Sequence, residues 1–282
     1  MTTHSHHGAA RHEPSGQHAR VGRAKKPRPP VKPGNVFTTP PQAVPGLDWK
    51  LPLSVYLPPD YETSGHRYPV AFMFDGQNLF SDQGSFAGGW HLHRTLDTRA
   101  SRGKVVPVVI GIHHGGETRN EELSPWPAEE GARAVGDTLL DWVTGPLRQL
   151  AERELRVSTH RSHRMIGGSS LGGLLALYGF FRHHDAFARC LSMSPALWVN
   201  GGEVFYHVAR SHAWGDLKLY LDCGSREGWG YSIQHAEWMV DLLERKGFLR
   251  DEQYMWRPDK RGVHNERAWR RRLPKALRYL YD

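Results

Sequence analysis

Along this chain, short unbroken apolar runs alternate with longer stretches whose apolar residues recur every three or four positions. Pro69 to Phe74 is one such run, stopping at Asp75-Gly76-Gln77-Asn78, and Val105 to Ile112 is a second. Met165-Ile166 leading into glycines, Cys190 to Met193, Leu217 to Leu221 and Gln253 to Arg257 continue the series. Runs this short, bounded by turn residues, predict strands buried on both faces of a sheet. Leu51 to Leu57 alternates instead and ends at Pro58-Pro59-Asp60-Tyr61. That pattern predicts an outer strand and a turn, with the strands before Asp60 pairing antiparallel at the sheet edge.

The stretches between the runs have helical spacing. In residues 132–155, Val135, Leu139, Trp142, Val143, Leu147 and Leu150 share a face, and Pro146 predicts a kink. Ser170 to Phe181 is a second helix, and Ile233 to Lys246, stopped by Gly247, is a third. Trp269, Leu273, Leu277 and Leu280 form the apolar face of a last helix. Its Arg267, Arg270, Arg271, Lys275 and Arg278 fall mostly on the wet side, which reads as a solvated face. Strand and helix alternating this often predict a mostly parallel sheet with helices on both faces.

Charge and composition change this picture at one end. The net charge is +8, but residues 1–34 hold seven Arg and Lys against Glu13 alone, leaving +2 for the rest. That stretch is rich in Pro, Gly and His and nearly empty of large apolar side chains, so it cannot offset its ordering entropy by burial. It is expected to be a disordered basic tail, with a single domain over residues 35–282. No aromatic or fold-level nucleic-acid feature accompanies the tail, so no specific nucleic-acid partner is expected. No run approaches the roughly 18 apolar residues of a membrane span. The first residues lack the apolar stretch of a secretory signal, and Cys190 and Cys223 both sit in apolar runs. A cytoplasmic protein without membrane partners or disulfides is expected.

Candidate chemistry centres on Gly168-Ser169-Ser170-Leu171-Gly172-Gly173. It is a G-x-S-x-G pattern between an apolar strand and a helix, the context in which that pattern forms a nucleophile elbow. Ser170 is therefore the candidate nucleophile; Ser169 lacks glycine on both sides at two residues' distance. In this arrangement an acid and then a histidine follow in chain order. His264 lies in the loop between the last strand-like run and the last helix, where the base belongs. Glu227, on the loop after Leu219 to Cys223, is the expected acid, with Asp222 in the strand as the alternative. The oxyanion hole is expected from the backbone N–H of Leu171 and one from Gln77 or Gly76. Asp75 beside them reads as a turn former.

Together these residues resemble the esterase family that includes esterase D-like thioesterases, enterochelin esterase-like enzymes and feruloyl esterases. The matching stretches are residues 56–61, 74–80, 167–173 and 191–198 and the His264-Asn265-Glu266 loop. The resemblance implies an α/β-hydrolase fold without a large lid, and cleavage of carboxylic esters or thioesters of small molecules without cofactor or metal. It carries the nucleophile onto Ser170, the acid onto Glu227 and the base onto His264; many relatives have Asp where Glu227 stands. Acyl transfer by the same triad, as in the related mycolyltransferases, is the alternative enzyme reading, and a binding protein on a hydrolase scaffold is the non-enzymatic one. Pairs such as His91 and His93 or His113-His114 lack the further ligands of a zinc site. Trp90, Trp126, Trp198 and Trp229 follow strand-like runs, and Trp90 and Trp198 are candidates for the walls of an aromatic substrate pocket. Arg119 and Arg226 are candidates for meeting an anionic substrate.

Overall fold

In the computed structural model, which describes residues 32–282 except 86, 128–130 and 213–214, the apolar runs become the interior of one eight-stranded sheet. The expected basic tail lies outside the described residues as far as residue 31. The strands are β1 (Asn35–Thr38), β2 (Gln42–Ala43), β3 (Lys50–Leu51), β4 (Leu53–Leu57), β5 (Val70–Phe74), β6 (Val108–Ile112), β7 (Arg164–Ser169), β8 (Arg189–Met193), β9 (Lys218–Gly224) and β10 (Tyr254–Asp259). β2 pairs with β3; the others lie in the order β1-β4-β6-β5-β7-β8-β9-β10. From β6 to β10 every pairing is parallel, whereas β4 runs antiparallel to both β1 and β6.

The edge differs from the sequence expectation in one respect. β4, the core of the Leu51–Leu57 run, is buried throughout and lies one strand in, while the exposed β1 forms the edge. β1 is only four residues long and its Val36 and Phe37 are adjacent rather than alternating, so it was not legible as a strand. β6 starts at Val108 rather than Val105, because Pro107 has no N–H to give a ladder.

The helices are α1 (Leu92–Ser101), α2 (Arg119–Glu122), α3 (Gly136–Trp142), α4 (Arg148–Glu154), α5 (Leu171–Arg182), α6 (Glu203–Arg210), α7 (Tyr231–Arg245) and α8 (Glu266–Tyr281). Between α3 and α4, Val143–Leu147 forms a π turn around Pro146, where the missing N–H loosens the ladder. Between β8 and β9, α6 is the longest described element, so no large helical lid is inserted there among the described residues. No described helix is long and apolar enough to cross a membrane.

Side chains alternate across a strand, and this period of two divides the apolar residues into two cores. Phe72, Phe74, Ile110, Ile166, Cys190 and Leu219 point to the side covered by Leu139 and Leu140 of α3, Leu174 and Leu177 of α5 and Met239 of α7. Ala71, Met73, Val109, Met165, Leu191 and Tyr220 point to the other side, covered by Leu92 and Leu96 of α1 and Trp269, Leu273 and Leu277 of α8. Phe72 is 1% exposed and meets Phe187 edge to face at 6.2 Å. Phe72→Ala is expected to cost about 3–5 kcal/mol, read as a lower midpoint in urea denaturation at unchanged slope.

Candidate active site

β7 turns into α5 through a single residue, Ser170, whose backbone is held at φ 56°, ψ −124°. A side chain rarely tolerates that conformation, so the surroundings must impose it. They do: the Ser170 N–H donates to the Met193 carbonyl at 3.0 Å, and the Ala196 N–H donates to the Ser170 carbonyl at 3.1 Å. The flanking glycines are needed for space. A Cβ on Gly168 would stand 2.6 Å from the Gly172 carbonyl carbon, and one on Gly172 would stand 3.2 Å from the Asp75 carboxylate. Ser169, by contrast, is only 3% exposed.

The loop after β10 brings His264 to this serine, its Nε2 2.9 Å from Ser170 Oγ. The other ring nitrogen, Nδ1, is 2.9 Å from Glu227 Oε2. Asp222, the alternative acid, does not face the histidine; it lies within β9 and pairs with Arg272 Nε at 3.0 Å. Glu227 is 1% exposed. Burial alone would raise its pKa, but the His264 hydrogen bond, the Arg272 charge and the Ser194 hydrogen bond together hold it below its ordinary value. With Glu227 ionised, Nδ1 carries the proton and Nε2 presents its lone pair to the serine.

Two residues behind Glu227 were not identified from sequence. The Ser194 hydroxyl accepts from Trp269 Nε1 at 2.9 Å and from Arg272 Nη2 at 2.7 Å. Its own proton is thereby directed to Glu227 Oε1, 2.8 Å away, where the Gly224 N–H also donates at 2.8 Å. Arg272 Nη1 lies 3.4 Å from the same oxygen. The signal for Arg272 was present: it sits on the apolar face of α8, three residues after Trp269 and next to Leu273. An arginine there requires a buried carboxylate partner. Asp222 is that second partner, and burial, foremost, pushes its pKa up to about 7 against the pull of Arg272.

In front of Ser170 is a pocket of about 460 Å³, lined among others by Asp75, Asn78, Ser85, His114, Arg119, His264, Glu266 and Trp269. Asp75 is more than a turn former: at φ 55° it caps the Gly76–Asn78 turn and binds Arg119 through Nε at 2.7 Å and Nη2 at 2.8 Å. Arg119 is thus engaged by Asp75 through two of its three guanidinium nitrogens. The N–H groups of Gln77 and Leu171 carry no hydrogen bond among the described residues. Trp90 does not line the pocket; it is 2% exposed and packs on Trp269 at 6.0 Å, because a large apolar ring at this position completes the core under α8. Trp198 does face a cleft, of about 520 Å³, shared with Gly228, Tyr231, His235 and His264. Trp126 packs edge-on against Tyr178 at 5.1 Å, and Trp229 is 99% exposed. His91 caps α1 and bonds Asp82 at 2.7 Å, and His113 bonds Ser54 at 2.7 Å.

Because the folded pKa of Glu227 is depressed, its contribution to stability is present above its unfolded pKa, about 4.3, and is lost as pH falls through the folded value. Glu227→Gln is therefore expected to be less stable than wild type near pH 6, with the gap narrowing toward about pH 3 in denaturant titrations.

Comparison with known proteins adds the relationship. YbbA of Bacillus subtilis (strain 168), itself uncharacterized, is 25% identical over 240 residues, which span 81% of this chain and 91% of its own. A ferulic acid esterase structure superposes with a TM-score of 0.70 at 18% identity, covering 89% of this chain and 98% of its own. The enterobactin esterase FES from Shigella flexneri superposes with a TM-score of 0.69 at 22% identity, covering 90% of this chain and 60% of its own. The family described as Putative esterase matches residues 45–280. Spanning nearly all of the chain past its basic end, that match makes this protein a member of the family and a carboxylic ester hydrolase with the α/β-hydrolase fold.

Proposed function

We propose that the protein cleaves carboxylic esters or thioesters through an acyl-enzyme on Ser170, with His264 as general base and Glu227 as the acid that orients it. What carries this reading is the unbroken line Glu227 Oε2, His264 Nδ1, His264 Nε2, Ser170 Oγ, with both contacts at 2.9 Å and the serine at a positive φ. His264 takes the Ser170 proton as Oγ attacks the carbonyl carbon. The negative oxygen that forms is received by the N–H groups of Leu171 and Gln77, aided by the N-terminus of α5. The tetrahedral species then expels the alcohol or thiol, which leaves with the proton from His264. Water, activated in the same way, attacks the acyl-enzyme and releases the acid. Glu227 stays ionised throughout and stabilises the imidazolium. The buried free thiols of Cys190 and Cys223 support the cytoplasmic setting expected from sequence.

Hydrolysis of p-nitrophenyl esters by the purified protein tests the reading. Ser170→Ala and His264→Ala are each expected to lower kcat by about 10⁴-fold or more, and EDTA to leave the wild type unchanged. Folded wild type without turnover on any acyl length, or activity retained in Ser170→Ala, overturns it.

A further inference from the structure

The pocket in front of Ser170 holds a carboxylate that the ester chemistry does not use. Glu266 is the first residue of α8, two positions after His264, and lines the pocket while only 4% exposed. Its Oε1 receives a long 3.5 Å contact from Asn78 Nδ2, and its Oε2 is buried with no partner among the described residues. The Ser85 hydroxyl, which lines the same pocket, is likewise buried and without a partner among the described residues. A carboxylate is costly to bury without partners, so its presence here calls for a group that uses it. A favourable position at a helix N-terminus does not supply one, since an exposed Glu266 would interact with the helix dipole equally well.

The charges of the pocket say which group. Arg119 is held through Nε and Nη2 by Asp75, and its charge is also felt by Glu266. Burial, foremost, keeps the His114 pKa below its ordinary value, so this ring is neutral near pH 7. Asp75 and Glu266 against Arg119 leave one net negative charge, which disfavours an anion. With Glu266 and Ser85 offering unused acceptor oxygens, this pocket suits hydrogen-bond donors rather than alkyl chains.

We propose that Glu266 is a specificity-determining residue that accepts hydrogen bonds from hydroxyl groups of the substrate, whose chemical class is a neutral, hydroxyl-bearing ester such as a polyol or sugar ester or an ester of a polyhydroxy acid. The proposal rests on the hydrolase reading above and names the substrate of the same site. Either half of the ester can carry the hydroxyls, so two matched pairs are compared: glyceryl against propyl butyrate, and propyl glycerate against propyl propanoate. In at least one pair, the wild type is expected to favour the hydroxylated ester in kcat/KM by about tenfold or more, the effect of a hydrogen bond to a charged group. Glu266→Gln is expected to bring that ratio to within about threefold, through KM more than kcat, and Ser85→Ala to lower it about threefold.

Turnover with a ratio unchanged in Glu266→Gln overturns this inference alone, and absence of turnover on every ester overturns the hydrolase reading and the inference with it. A choline ester preferred over the glyceryl ester, with the preference lost in Glu266→Gln, overturns the hydroxyl assignment in favour of a cation. Should Glu266→Gln not fold by circular dichroism, Ser85→Ala decides, an unchanged ratio counting against the proposal.

Discussion

The buried carboxylate of Glu227 ties together segments that are far apart in the chain. One oxygen meets His264, from the loop after β10; the other receives the Ser194 hydroxyl, just past β8, and the Gly224 N–H at the end of β9. Arg272 of α8 approaches from behind and pairs with both Asp222 and Glu227. A charge this deep survives only when its lone pairs are taken and an opposite charge is close. Removing one partner leaves a buried polar group short of a hydrogen bond, so the network is coupled and holds the orientation of His264.

The same principle extends along the sheet. Three neighbouring strands, β5, β7 and β8, are each followed directly by a polar residue with positive φ: Asp75 at 55°, Ser170 at 56° and Ser194 at 43°. At each position the chain bends sharply off the strand and keeps a functional side chain at the carboxyl edge of the sheet. This is where parallel α/β sheets place their ligands. The strain is sustained by hydrogen bonds from adjacent strand ends, as when the Ser194 N–H donates to the Asp222 carbonyl at 2.9 Å. Asp75 holds Arg119, Ser170 meets His264 and Ser194 holds Glu227, so three bends in register build one site.

Around Ser170 and His264 lie two surfaces of different character that meet at His264. The cleft beside Trp198, Tyr231 and His235 is aromatic, and the pocket beside Asp75, Arg119 and Glu266 is charged and hydrogen-bonding.

Much of this protein was determined by local patterns. Buried parallel strands read as continuous apolar runs, and a strand–glycine–serine–glycine–helix passage leaves little choice for Ser170, because its physical requirements are all within a few residues. His264 is expected from chain order and loop position, and so is Glu227 with Asp222 as the alternative; only the fold brings Glu227 to the imidazole and pairs Asp222 with Arg272. What only the tertiary structure decided are the meetings of distant residues: Arg272 turning from a basic helix into the core, Ser194 donating to Glu227, Asp75 engaging Arg119, and Trp90 packing on Trp269 instead of facing the pocket. Local sequence specifies whether a residue can be buried. Which partner it is buried against depends on strand order and helix docking, and no short-range pattern encodes either.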